Sequence, residues 1–202
     1  MLGVLTIDSL TPRAFSASWE EALEPFVDLL SLILSTLKEV PEDVVRAVEE
    51  LRESSVLVLG KDCGPEVARL KHISRALRAK GYRPRLVKEA SDIPELSNEE
   101  KVRVFADLSR FVILENSYPA GQIAELKICA TNRIVTATLR EKGRGSSYMV
   151  TDYSKDFDFI QEFEFLSEDE IPAAVDEATT WAESKLEERR SYYDERYPWR
   201  KR

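Results

Sequence analysis

The segment 117–125, Ser-Tyr-Pro-Ala-Gly-Gln-Ile-Ala-Glu, combines residue types that suit chemistry on a sugar or a nucleotide. Ser117 can cap a helix through its hydroxyl, and Pro119 suits an early helical position where no backbone N–H is needed. Gly121 leaves room for backbone N–H groups to approach a phosphate or a sugar. Glu125 follows one turn later on the same helix face, and its side chain is expected to point back toward the loop.

Glu125 has two interpretations. A carboxylate that is desolvated in a crevice of small residues can hold ribose hydroxyls or stabilise positive charge that develops on a sugar carbon. Gln122, Ile128 and Cys129 are its expected neighbours and form a weakly polar surround. Alternatively, Glu125 is an ordinary glutamate that the helix dipole favours in a first turn.

A second candidate loop, residues 60–65, follows an apolar run. Gly60, Lys61 and Asp62 could help to form a ligand pocket there, although Lys61 is equally well explained as a surface residue. The loop lacks the full glycine pattern of dinucleotide-binding turns, and the chain contains no P-loop sequence.

A third candidate loop, residues 140–147, carries three cations and two hydroxyls, among them Arg144 and Ser146. This set would suit a phosphate-bearing ligand. A solvated loop of surface charge explains it equally well.

The elements that must position these loops follow from hydrophobic patterning. From residue 55 onward, short apolar runs alternate with amphipathic helices, which indicates βαβ units and a parallel sheet. Because ligands bind outside the carboxyl ends of parallel strands, all three loops are expected at the carboxyl end of the sheet. The predicted strands are residues 56–59, 83–87, 111–114, 134–139 and 160–166, and the last is expected at an edge of the sheet.

Cap and stop residues predict where several helices begin and end. Gly81 is expected to end the helix that follows the first strand. Asn98 is expected to cap the helix that precedes the third strand. Ser167, with Glu170 three residues later, predicts the start of the last helix.

The chain is predicted to have three parts. Residues 1–54 contain an arm and a helical hairpin (18–53), residues 55–190 form the α/β domain, and residues 191–202 are a charged aromatic tail. The apolar face of the hairpin either packs in the core or forms a dimer interface. The tail either extends the last helix, wraps around a neighbour or hangs free.

Composition limits the classes of function. The net charge of −8 argues against a protein whose main partner is extended nucleic acid. Two distant cysteines, Cys63 and Cys129, and the single histidine, His72, suggest neither a metal site nor a disulfide framework, so a cytoplasmic setting is expected. No secretory signal or membrane span is predicted, and the high charged fraction with few Asn and Gln favours a thermophilic source.

Two apolar runs, 56–59 and 111–114, followed by the pattern Ser117-x-x-x-Gly121-x-x-x-Glu125, resemble the superfamily that joins TIR domains with nucleoside 2-deoxyribosyltransferases. The resemblance covers about residues 55–186. It implies a flavodoxin-like three-layer α/β sandwich with a mainly parallel five-stranded sheet. It also implies that Glu125 acts at the N-glycosidic bond of NAD or a nucleoside, and that Gly60, Lys61 and Asp62 help to form the nucleotide pocket.

Three functions remain open at this point. The first is an enzyme that hydrolyses or transfers at an N-glycosidic bond, with Glu125 as the essential carboxylate, Ser117 as a ribose-side contact and no cofactor beyond NAD or a nucleotide as substrate. The second is a domain that binds a small nucleotide without turnover. The third is an oligomeric scaffold, for instance a homodimer built through residues 18–53 or the tail.

Overall fold

The computed structural model describes residues 42–89, 96–118, 121–145 and 148–200. The chain divides into two compact units, residues 1–46 and 47–202, and the description below concerns the second. The predicted N-terminal arm and the first helix of the predicted hairpin lie outside the described residues. The second helix of that hairpin is present as α1, Glu42–Ser54.

Five strands and five further helices follow α1 in alternation. The strands are β1 (Ser55–Leu59), β2 (Arg83–Leu86), β3 (Phe111–Glu115), β4 (Thr136–Glu141) and β5 (Ile160–Phe165). The helices are α2 (Val67–Ala79), α3 (Asn98–Asp107), α4 (Gln122–Thr131), α5 (Tyr148–Asp156) and α6 (Ile171–Arg196).

The strands form one parallel sheet in the order β2-β1-β3-β4-β5. This is the order of flavodoxin-like folds, in which the chain reverses direction across the sheet between β1 and β3. The fold class predicted from the sequence is confirmed, as is the position of β5 at an edge.

The central strands β1 and β3 are apolar except for Ser55 and Glu115, as expected for strands that are covered on both faces. Val56, Val58 and Phe111 pack on the side of α2 and α6, whereas Leu57 and Val112 pack on the side of α3 and α4. Every residue of β1 and β3 is buried. Full burial of an aliphatic or aromatic side chain contributes about 1.5–3 kcal/mol, so these two strands anchor the three-layer sandwich.

Two helix starts differ from those predicted. The cap of α3 is Ser97 rather than Asn98: its hydroxyl accepts from the Glu100 N–H, and the Glu100 carboxylate accepts from the Ser97 N–H at 2.8 Å. The Ser167 hydroxyl makes no capping bond, because Glu170 accepts instead from the backbone N–H of Leu166. Both corrections shift a boundary without changing an element.

Helix α5 was not predicted from the sequence. Helix α6 continues to Arg196, so the tail extends the last helix, one of the three alternatives left open. Among the described residues, no helix is long and apolar enough to cross a membrane.

Candidate functional site

A cavity of about 620 Å³ opens at the carboxyl ends of β1 and β3. It therefore lies at the switch point of the sheet, where flavodoxin-like folds bind their ligands. The lining residues come from the β1 loop, the turn after β2, α3 and the start of α4: Gly60, Lys61, Asp62, Cys63, Val87, Lys88, Asn98, Lys101, Val102, Gly121 and Glu125. Five of the residues predicted from the sequence thus share one cavity: Gly60, Lys61, Asp62, Gly121 and Glu125.

Helix α4 brings Glu125 to this cavity. Gly121 is the N-cap residue, and its carbonyl accepts from the Glu125 N–H at 3.2 Å. Because α4 follows β3 in a parallel sheet, its first turn lies at the carboxyl edge. The predicted one-turn spacing between Gly121 and Glu125 places both residues on the cavity wall.

The carboxyl group of Glu125 is largely desolvated. Burial, followed by the negative charge of Asp62, raises the pKa of Glu125 to about 7. Its Oε2 atom is buried and has no hydrogen-bond partner within the described residues. A carboxyl group that titrates near neutrality can both release and accept a proton at physiological pH.

Several cations face the same space. Lys61 donates to Glu66 at 3.0 Å, and this hydrogen bond raises the pKa of Lys61. Lys88 donates to the Asp62 carbonyl at 3.2 Å. Lys101 is buried in the first turn of α3. The cavity therefore combines one protonatable carboxyl group with lysines that suit an anionic group of a ligand.

Sequence reasoning missed Lys88, Asn98 and Lys101. Asn98 and Lys101 are three residues apart, and the helix that carries them starts at the same sheet edge as the other loops. Polar residues on one face of this first turn could have predicted that Asn98 and Lys101 belong to the site.

Ser117 takes a different position from the one expected of a helix cap. It is buried, and its hydroxyl accepts from the backbone N–H of Glu141 at 2.8 Å. The start of α4 has no side-chain cap. The prediction that Ser117 caps the helix is wrong, because β4 lies close enough to supply a backbone donor.

Gln122 and Arg144 form hydrogen bonds with other residues of the protein. Gln122 donates to the Tyr118 carbonyl at 2.7 Å. Arg144 donates to Glu141 at 3.0 Å and to the Tyr118 hydroxyl at 2.7 Å, and its guanidinium lies over the Tyr118 ring. Neither residue lines the Glu125 cavity. Ser146, the other predicted phosphate contact in this loop, lies outside the described residues.

The loop after β4 is held against the loop after β3. A Cβ atom on Gly145 would lie 1.7 Å from the Asn116 carbonyl oxygen, and Gly145 has a φ of 61°. The Asn116 amide donates to the Gly145 carbonyl at 3.3 Å. The described residues of this loop, 140–145, do not line the Glu125 cavity.

Glu141 also belongs to a buried ionic cluster that the sequence did not predict. Arg69 of α2 donates to Glu115 at 3.3 Å, to Glu141 at 2.7 Å and to Glu168 at 3.3 Å. The side chains of Arg69 and Glu115 are only 6% and 1% exposed. This cluster joins α2 to the carboxyl ends of β3 and β4.

A larger cavity, of about 770 Å³, lies at the opposite end of the strands. Two of its cations are engaged within the protein: Lys185 pairs with Asp158 and Glu188, and Arg189 donates to the Arg133 carbonyl. Because it lies at the amino ends of the strands, we assign the functional site to the Glu125 cavity.

No metal cluster lies in the described ranges 42–89, 96–118, 121–145 and 148–200, where no three His, Cys, Asp or Glu side chains are placed to hold an ion. Cys63, on the cavity wall, is an exposed free thiol, and Cys129 is buried.

No protein-family model and no curated protein matches this sequence. Among solved structures, the chain is similar to a diflavin flavoprotein A3 from Nostoc sp., with 10% identity, a TM-score of 0.44 and coverage of 69% of this chain and 96% of that one. A structure titled as a hypothetical protein has 12% identity and a TM-score of 0.34, with coverage of 85% and 91%. The fold assignment rests on the strand order and layers described above.

Proposed function

We propose that this protein acts at the N-glycosidic bond of a small nucleotide such as NAD, or of a nucleoside, with Glu125 as the essential carboxylate. The observation that carries the proposal is the position of Glu125 in the switch-point cavity. Its Oε2 atom is buried and has no partner among the described residues, and its pKa is raised to about 7. The resemblance of residues 55–186 to TIR domains and nucleoside 2-deoxyribosyltransferases supports the same reaction class.

The chemistry follows from the state of the carboxyl group. When the bond between the sugar C1′ and the base nitrogen breaks, its electron pair leaves with the base and positive charge develops on the sugar. Ionised Glu125 stabilises that charge. In hydrolysis, a water oxygen bonds to C1′ and Glu125 accepts the proton that this water loses.

The remaining cavity residues have supporting roles in this proposal. Lys61, Lys88 and Lys101 provide positive charge for a phosphate of the ligand. Gly121 has no described atom within 4 Å of the place where a Cβ would lie, so this part of the wall can accommodate a sugar.

Substrate turnover tests the proposal. Purified protein is incubated with NAD and with a panel of nucleosides, and free base or nicotinamide is measured by chromatography. We expect product with the wild type, at a rate that rises as the pH passes through about 7. Glu125→Gln should lower the rate by at least about a thousandfold, since the group that stabilises the transition state is lost.

Glu177→Gln is the matched control, because Glu177 is an exposed glutamate of α6. This variant should keep the wild-type rate. Unchanged substrate in every incubation, or equal rates for wild type and Glu125→Gln, would refute the enzymatic proposal.

A second candidate function is nucleotide binding without turnover. It is favoured by the three lysines of the cavity, which suit recognition of a phosphate whether or not a bond is broken. A thermal-shift panel of nucleotides separates the two functions: stabilisation without product supports binding alone, and stabilisation with product supports the enzyme.

A further inference from the structure

Positive charge is concentrated in one segment of this acidic chain. Residues 67–88, which span α2, β2, the turn between them and the start of the turn after β2, contain eight Lys or Arg and no Asp or Glu. The chain as a whole has a net charge of −8. Such segregation creates a local positive potential that composition alone conceals.

Three of these cations line a groove of about 390 Å³ between α2 and the end of β2. Lys71, Arg75 and Arg78 are exposed and follow one another at four and three residues, so they share one face of α2. Within the part of the chain that the structure describes, none of them has an ion pair. By contrast, Arg69 and Lys80 of the same segment pair with acidic side chains.

The floor of the groove supplies an unpartnered polar group. Ser74 lies on the groove wall, is 2% exposed, and its Oγ atom has no hydrogen-bond partner among the described residues. A buried hydroxyl without a partner costs free energy, which a hydrogen bond to a ligand would recover.

Protection of the sheet edge does not explain these cations. Edge strands often carry Pro and charged residues that prevent pairing with another chain, and Arg83, Pro84 and Arg85 on β2 fit that role. Leu86 packs with the α2 residues, so Arg85 must point to the opposite face of the sheet. The cations of α2 are therefore a separate feature.

We infer that this groove binds a chain of condensed phosphates, either inorganic polyphosphate or the triphosphate of a nucleotide. Seven residues of α-helix separate Lys71 from Arg78, which corresponds to about 10 Å. A chain of phosphates can follow this row and offer a separate phosphate to each of the three cations. Ser74 then donates its hydroxyl hydrogen to a phosphate oxygen at the floor of the groove.

The groove is distinct from the Glu125 cavity. The turn Val87–Glu89 separates them, because Val87 and Lys88 line the cavity while Leu86 and Glu89 line the groove. The inference therefore does not depend on the proposed function. Glu89 is the only acidic residue on the groove wall among the described residues, and its charge opposes an anionic ligand.

Calorimetric titration of the full chain with tripolyphosphate, ATP and adenosine tests the inference. Tripolyphosphate and ATP should bind with similar affinity that falls as salt increases, and any binding of adenosine should be unaffected by substitutions in the groove. Lys71→Ala, Arg75→Ala and Arg78→Ala should each weaken binding by about tenfold, since each removes a charge-assisted contact. Glu89→Gln should strengthen it several-fold.

Two variants distinguish a ligand site from general electrostatics and from structure. Lys127→Ala removes an exposed cation of α4 and should leave the affinity unchanged. Ser74→Ala should weaken binding while the melting temperature stays equal or rises, because it removes an unsatisfied group. Circular dichroism should show that all variants keep the fold.

Four results would overturn the inference. They are binding of ATP but not tripolyphosphate, loss of adenosine binding in Arg75→Ala, equal losses for Lys127→Ala and Arg75→Ala, and loss of tripolyphosphate binding in Lys61→Ala with retention in Arg75→Ala. The last result would place the anion in the Glu125 cavity.

Discussion

At the residue scale, Glu125 shows how burial changes the properties of one carboxyl group. The free glutamate side chain titrates near pH 4.3, whereas burial beside Asp62 raises the pKa of Glu125 to about 7. The folded protein therefore binds this proton more tightly than the unfolded chain does. Folding is favoured by protonation of Glu125, and this contribution is lost as the pH rises through about 7.

The stability of the protein should reveal this shift. Between about pH 5.5 and about pH 8, the contribution of Glu125 to the free energy of unfolding should fall by about 2 kcal/mol. Glu125→Gln should remove that part of the pH dependence, since glutamine does not titrate. Urea denaturation at the two pH values measures it, with Glu177→Gln as control. An identical pH dependence for wild type and Glu125→Gln would show that the carboxyl group is not desolvated.

At the element scale, the turn after β1 and the start of α4 form two of the walls of the cavity. Gly60 ends β1 with a φ of 147°, and a Cβ there would lie 2.9 Å from Leu70 and 3.0 Å from the Cβ of Glu115. Gly121 has an ordinary φ of −85° and open space around it. Of these two glycines, only Gly60 is required by the backbone conformation.

Alanine substitution should separate these two glycines. Gly60→Ala should lower the free energy of unfolding by about 2 kcal/mol or more, because it combines an unfavourable backbone conformation with close contacts. Gly121→Ala should change it by less than about 1 kcal/mol. Denaturant titration gives both values. Similar effects of the two substitutions would contradict the described conformation of the β1 turn.

At the scale of the whole molecule, Arg69 links parts of the chain that are far apart in sequence. Its partners Glu115, Glu141 and Glu168 belong to β3, β4 and the turn before α6. The same guanidinium lies 5.1 Å from the centre of the Tyr118 ring. This single cation therefore holds α2, the sheet and the loop after β3 together.

Removal of Arg69 should be strongly destabilising. Arg69→Met leaves Glu115 buried without its cation, which should cost about 3–5 kcal/mol. Adding Glu115→Gln should restore most of that loss, because no charge is then left buried at that position. Arg103→Met, which breaks the exposed pair with Glu99, should cost less than about 1 kcal/mol. Failure of the double variant to recover stability would show that Glu115 is not the source of the cost.

The sequence alone determined the three-layer arrangement of helices and sheet, and it determined five of the residues that line the site. Apolar runs such as 56–59 must be strands covered on both faces, and parallel strands bring their following loops to one edge. For that reason the sequence is sufficient to place five residues together at that edge: Gly60, Lys61, Asp62, Gly121 and Glu125. Each of these predictions needs only a local pattern and one general rule of topology.

Only the tertiary structure decided which polar residues remain available to a ligand. Ser117, Gln122 and Arg144 have suitable chemistry and lie near the same edge, but Glu141 and Tyr118 engage them. The partners of Ser117 and Arg144 are 24 and 26 residues away in the chain. Hydrogen bonds over such separations depend on strand order and register, which no local pattern specifies. Lys101 and the Arg69 cluster depend on the assembled sheet in the same way.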